Sequence, residues 1–151
     1  MFYHRSMTTS APRPRRIRAE VAIVGAGLVG GTLACALAHQ GVKVAVVDRL
    51  DPAAMVVPSF DGRASAIALS ARRFLEAIGI WQHMASHAGP IREIRVSDGN
   101  APFFLHYDHA EIGEDPLGFM VENRHLRAAI AARLRALPEM VSVVTPAAVD
   151  D

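Results

Sequence analysis

Glu20-Val21-Ala22-Ile23-Val24-Gly25-Ala26-Gly27-Leu28-Val29-Gly30 is the stretch on which the fold turns. Its first half is a short apolar run with β-branched residues, which reads as a buried strand. Its second half spaces three glycines as Gly-x-Gly-x-x-Gly. Thr32 to Gln40 is rich in Ala and Leu and predicts a helix stopped by Gly41. Val42 to Val47 is again almost wholly apolar and predicts the next strand. Strand, glycine turn, helix and strand within about 30 residues make a βαβ unit, whose strands are parallel and whose crossover is right-handed.

Each glycine has a task in a dinucleotide site. Gly25 permits the tight turn out of the strand. Gly27, without a side chain, lets the backbone approach a pyrophosphate. Gly30 lets the helix lie close to the strand. The amides of Gly25, Ala26, Gly27, Leu28, Val29 and Gly30 then line the start of a helix, where free N–H groups and the positive end of the dipole favour anions. Asp48 stands 18 residues after Gly30, where an acid can accept hydrogen bonds from both ribose hydroxyls. It also repels a 2′-phosphate, which disfavours NADP at this position. Arg49 follows it. The unit by itself leaves FAD and NAD open as the ligand, and a glycine-rich turn without ligand is the plainer alternative.

Outward from the unit, Leu50 to Gly62 reads as a loop. Ser70 is a candidate N-cap for a helix whose apolar face is Phe74, Leu75 and Ile78, stopped by Gly79. Trp81 and Met84 predict a short second helical piece. Arg92 to Ser97, the turn Asp98-Gly99-Asn100 and Pro102 to Tyr107 predict a hairpin. His106 to Pro116 reads as a polar loop. Gly118 to Val121 is a strand candidate. Arg124 to Leu137 predicts a helix with Leu126, Ile130, Leu134 and Leu137 on one stripe, and Val141 to Thr145 a last strand. The expectation is therefore an α/β fold: a Rossmann-like parallel sheet of the FAD/NAD(P)-binding type, with an inserted β-hairpin between two βαβ units. The final strand has no element after it to cover it, so the domain reads as incomplete.

The 151 residues suffice for one domain with a real core. The net charge of +1 conceals an asymmetry: residues 1–18 carry five arginines and no acid, and the remainder is net −4. The first 18 residues read as a disordered basic leader, with Met7 an alternative start, and residues 19–151 as the domain. A negative body argues against nucleic acid as partner, because phosphate neutralisation needs clustered Lys and Arg. The single cysteine, Cys35, excludes an intrachain disulfide and reads as a small core residue. No apolar run reaches the length of a membrane span, and the histidines show no metal-ligand spacing.

Three later landmarks favour FAD. Asp61-Gly62-Arg63-Ala64-Ser65-Ala66-Ile67-Ala68-Leu69-Ser70, Leu75 to Trp81, and Asp115-Pro-Leu-Gly-Phe-Met-Val-Glu-Asn-Arg-His-Leu126 occur in this order. Together with the glycine loop they resemble the FAD-dependent hydroxylases of ubiquinone biosynthesis, within the aromatic-ring flavoprotein monooxygenases. The resemblance spans residues 20–137. It implies that Gly25, Gly27 and Gly30 hold the FAD pyrophosphate and Asp48 the adenosine ribose. It also implies that Arg63 reaches the cofactor's polar edge or a phosphate, and that Asn123 contacts the cofactor, with Arg124 a neighbouring candidate. Read from the residues alone, Arg63 is a solvated loop arginine, Asn123 a helix N-cap and Arg124 a surface arginine.

The implied activity is hydroxylation of an aromatic ubiquinone precursor with FAD as cofactor, NAD(P)H as co-substrate and dioxygen as oxidant. No residue here is assigned as general acid or base. The implied location is the cytoplasm, with peripheral membrane contact by analogy because the substrates are lipid-like. The family's second Gly-Asp segment and substrate domain have no counterpart in the sequence, so the chain is expected to be incompetent as a hydroxylase alone. An NAD-dependent oxidoreductase and a non-catalytic nucleotide-binding module are the competing readings.

Overall fold

The structure is a computed structural model and describes residues 16–51, 62–99 and 103–150. The leader expected over residues 1–18 lies mostly outside the described residues. The chain opens with β1 (Val21–Val24), α1 (Leu28–His39) and β2 (Val44–Val47). It continues through β3 (Ala64–Ala68), α2 (Leu69–Ala77), β4 (Gly89–Ile91), β5 (Glu93–Ser97) and β6 (Phe104–Asp108). It closes with β7 (Gly118–Glu122), α3 (Asn123–Arg135) and β8 (Val141–Val144).

The expected βαβ unit is present. β1 and β2 run parallel, paired from Val21↔Val44 to Val24↔Val47. β8 adds a third parallel strand on β2, giving the order β1-β2-β8. Val44 and Val46 are buried, as strands covered by a helix require. The β5–β6 hairpin also forms, paired from Glu93↔Asp108 to Ser97↔Phe104.

Four expectations are corrected. First, the last part of the chain is not a second βαβ unit. β7 lies antiparallel between β3 and β4 in a separate sheet, and only β8 joins the parallel one. Second, β3 and β4 have no counterpart in the sequence reading. Ala64-Ser-Ala-Ile-Ala lacks the bulky alternation that marks a strand, and Gly89-Pro-Ile carries two strand-depleted residues. Pro90 is tolerated because β4 is an edge strand. Third, α1 begins at Leu28 rather than Thr32, so the last glycines of the loop are its first turn. Fourth, His106 to Asp108 belong to β6, and Ala68, not Ser70, is the N-cap of α2.

The core is built on small residues of α1. Ala34, Cys35 and Ala38 are buried. At Gly31 an added Cβ would stand 2.5 Å from Cγ2 of Ile130, so α1 and α3 pack at close range only because Gly31 has no side chain. Ile130 and Leu134 are buried on α3 and each contributes about 2 kcal/mol by leaving water. A second part of the core gathers Leu75, Ile78, Ile80, Trp81, Met84 and Val121. There the Trp81 ring meets Phe119 edge-on at 5.0 Å. Arg133 lies over Gly79 and its Nε donates to the Ile78 carbonyl at 2.9 Å, tying the end of α2 to α3. Burial pushes the Cys35 thiol up to about 11, so it is a neutral core group near neutral pH. Among the described residues no helix is long and apolar enough to cross a membrane.

Candidate functional site

The C-terminal ends of β1, β2 and β8 open into a cleft of about 580 Å³, lined by Val24, Gly25, Asp48, Arg49, Leu50 and Ala148 among others. This is the edge of a parallel sheet where ligands of α/β proteins bind. Its walls are set by backbone hydrogen bonds. Gly25 N–H donates to the Val47 carbonyl at 2.7 Å, carrying the β1–β2 ladder one step past the strands. Ala147 N–H donates to the Asp48 carbonyl at 2.8 Å and brings the segment after β8 over the end of β2.

Gly25 turns the chain with φ +102°, a conformation that side-chain-bearing residues avoid. Ala26 is buried. Gly27 is the N-cap of α1, with extended backbone and no side-chain capping bond. The helix's own ladder begins with Gly31 N–H on the Gly27 carbonyl at 2.9 Å. The N–H groups of Leu28, Val29 and Gly30 precede that ladder and point out of the helix start. Val29 is 83% exposed beside them, so it is the amides here, not the side chains, that form the polar surface.

The glycines of this loop differ in what they accommodate. A Cβ on Gly30 would fall 1.9 Å from the Gly25 carbonyl oxygen, which no relaxation short of moving the helix relieves. A Cβ on Gly27 would meet nothing within 4 Å, and its φ of −67° suits any residue. The fold requires glycine at position 30 and makes no such demand at position 27.

Asp48 is tied into the loop. Its Oδ2 accepts from Ala26 N–H at 2.5 Å and its Oδ1 from Leu50 N–H at 2.9 Å. These amides hold the carboxyl below the usual carboxylate value, the Leu50 bond contributing most. A carboxylate has about four lone-pair positions. Two are engaged, and Asp48 still lines the cleft. Arg49 is exposed at the rim.

The remaining candidates form a second group, at the junction of β3, β7 and α3. Asn123 N–H donates to the Arg63 carbonyl at 3.0 Å, one step past the Ala64↔Glu122 pair. The Asn123 Oδ1 accepts from Ser65 Oγ at 2.6 Å. Asn123 is the first residue of α3 and Glu122 the N-cap, so the cap expected at Asn123 is displaced by one residue. Arg124, read as a surface arginine or a neighbouring cofactor candidate, is partly exposed and paired with Glu122, Nε to Oε2 at 2.6 Å. Arg63 is exposed. His125 stacks on His87 with ring centres 3.8 Å apart, and burial, then His87 and Arg124, push its pKa below the usual value.

Sequence reasoning missed Ser65, the Leu50 amide and the Ala147–Val149 wall. Ser65 lies in a run of small residues within the Asp61–Ser70 landmark, and nothing in its spacing marks it as a partner of Asn123. It also missed that β5–β6 pairing brings ligand atoms of Glu93, His106 and Asp108 within 4.8 Å of one another. Protein groups already use those carboxylates: Arg95 contacts Glu93 at 3.1 Å, and Asp108 accepts from Ala110 N–H at 2.9 Å.

Comparison with known proteins agrees with this geometry. Over 120 residues the chain is 56% identical to the ubiquinone hydroxylase UbiL of Rhodospirillum rubrum, covering 80% of this chain and 28% of that protein. It is 37% identical over 123 residues to the 3-demethoxyubiquinol 3-hydroxylase of Escherichia coli, covering 80% of this chain and 31% of that one. The crystal structure of p-nitrophenol 4-monooxygenase PnpA from Pseudomonas putida superposes with a TM-score of 0.63 at 26% identity, covering 82% of this chain and 31% of that one. The chain thus spans about three tenths of the length of these relatives. The family model described as FAD binding domain matches residues 18–141. With its glycine loop, its acid at the end of β2 and this match over most of its length, the chain belongs to the FAD binding domain family.

Proposed function

We propose that this chain, over residues 19–151, is the Rossmann-like FAD-binding part of a hydroxylase acting on an aromatic ubiquinone precursor with NAD(P)H and dioxygen. The observation that carries the reading is Gly27: a glycine the fold does not need, at a helix start whose amides face outward, with open space where a side chain would stand. A diphosphate fits that cradle, because close backbone approach and unpaired N–H donors are what a doubly charged group of this shape requires.

In this reading the loop from Gly25 to Gly30 wraps the FAD diphosphate: the N–H groups of Leu28, Val29 and Gly30 donate to it, Gly27 gives it room, and those of Gly25 and Ala26 hold the loop in shape through Val47 and Asp48. Asp48 accepts from the adenosine ribose while keeping its bond to Ala26, and Arg49 closes the rim. Arg63 and Asn123 reach the cofactor from the β3–β7 side. Arg124, held by Glu122, contributes a fixed positive charge nearby. Bound FAD supplies the redox chemistry, taking reducing equivalents from a nicotinamide and activating dioxygen for transfer of one oxygen atom to the ring. The chain's own residues bind and orient the cofactor. The protein is placed in the cytoplasm, at the membrane surface when it meets a lipid-like substrate.

Thermal melting with added nucleotides tests this. FAD at 100 times its dissociation constant stabilises by about 2.7 kcal/mol, which raises the melting temperature of a chain this size by roughly 5–10 °C. NAD at the same concentration is expected to give little shift. A large shift with NAD and none with FAD would replace the flavin reading by that of a nicotinamide enzyme.

A further inference from the structure

We propose that Ser65 is a positioning residue, which fixes the Asn123 carboxamide so that its two Nδ2 hydrogens face the cofactor. The inference rests on the reading of Asn123 as a cofactor contact.

The geometry is local. β3 and β7 are antiparallel, with Ser65 opposite Val121, and α3 starts at Asn123 directly after β7. The backbone bond from Asn123 N–H to the Arg63 carbonyl sets the distance between the two segments. At that distance Ser65 Oγ, half-buried, donates to Asn123 Oδ1 at 2.6 Å. A carboxamide has one acceptor end and one donor end. Ser65 occupies the acceptor end. The donor end meets no acceptor among the described residues, because the Ser65 bond is the one side-chain hydrogen bond of Asn123 there.

The chemistry of what Nδ2 faces follows. Two N–H donors call for acceptor oxygens, such as those of a phosphate, a ribityl hydroxyl or a flavin carbonyl. Turned by half a rotation, the same amide would present Oδ1 to those oxygens and repel them. Without Ser65 the carboxamide loses its one side-chain tether at the strand junction, so part of the population rotates away from the cofactor. Ser65 therefore acts through Asn123 and touches no cofactor atom itself.

A double-mutant cycle on FAD affinity, measured by flavin fluorescence titration of the chain, tests the assignment. Asn123→Ala is expected to weaken FAD about tenfold, and Ser65→Ala about fivefold, as loss of one oriented hydrogen bond would. Ser65→Thr, which keeps the hydroxyl, should stay within about twofold of the parent. In the Asn123→Ala background, Ser65→Ala should cost nothing further. Ser65→Cys keeps the volume with a weaker donor and gives the same readout if alanine unsettles the strand pair. Unchanged affinity in Asn123→Ala would remove the cofactor role of Asn123 on which the proposal stands. An effect of Ser65→Ala that persists undiminished in the Asn123→Ala background, or no effect of it where Asn123→Ala has one, would overturn the positioning role alone.

Discussion

Replacing Gly30 with alanine is expected to lower the melting temperature of the chain by about 10 °C, against the usual sign for such a change. In an exposed helix, glycine to alanine stabilises by about 1 kcal/mol through chain entropy. Here the new methyl would sit 1.9 Å from the Gly25 carbonyl oxygen, 3.1 Å from its carbonyl carbon and 3.2 Å from Cγ2 of Ile23. The first two are backbone atoms and cannot swing away. The helix must lift from β1, and the loop that lifts with it carries the Ala26–Asp48 bond. Overpacking of this severity costs about 3 kcal/mol or more, a large part of the roughly 5–15 kcal/mol that holds a domain folded. A melting temperature equal to or above that of the parent would mean that α1 does not approach β1 as described.

Asp48→Ala is the second large effect, and it acts on stability and binding together. The carboxylate accepts two backbone N–H bonds, from Ala26 and Leu50. Charge-assisted bonds of this kind contribute about 1.5–3 kcal/mol each when sheltered, and less where water competes. A net loss of about 2 kcal/mol and a fall of roughly 5 °C are expected. FAD affinity should fall further than the stability change explains, because the ribose loses its acceptor as the loop loses its tether. The same carboxylate leaves a mark on acid stability. Its pKa in the folded chain is held below the ordinary 3.8. Its stabilising share is therefore complete above that value and is lost as pH falls below it, while the unfolded chain takes up the proton first. Asp48→Ala should flatten the stability–pH curve in that range. Equal slopes for parent and variant would show that the folded and unfolded carboxyls titrate alike.

What could be read from the sequence was what local physics fixes. The run from Glu20 to Asp48 combines a buried strand, obligatory glycines, a helix stop and an acid at the next strand's end, and each of these is a short-range signal. The structure returns that unit in register. The β5–β6 hairpin was legible for the same reason, from alternation and a turn. The second sheet was not. β3 is nearly all alanine and serine and becomes a strand by pairing with β7, where Gly118 lets the backbones approach: a Cβ there would stand 2.5 Å from the Ile67 carbonyl oxygen. That is tertiary information. It also explains the misplaced second βαβ unit, since β7 looks like a parallel-sheet strand until its partner is known.

The candidate site divides along the same line. The glycine loop and Asp48 are near one another in sequence and in space. Ser65 reaches Asn123 across 58 positions, and the Asn123 N–H reaches the Arg63 carbonyl across the same strand pair. Cross-strand partnerships of this kind have no spacing rule to betray them.

The measurement that bears most directly on the diphosphate cradle is an FAD titration of Gly27→Asp set beside its melting curve. Position 27 has open space and N-cap geometry, and aspartate is among the best N-cap residues. The substitution should leave the melting temperature unchanged or raise it by a few degrees. It also puts a carboxylate where the diphosphate is to lie, so FAD affinity should drop at least about 100-fold through repulsion and lost backbone approach. A variant as stable as its parent that still takes up FAD with the parent's affinity would contradict the account.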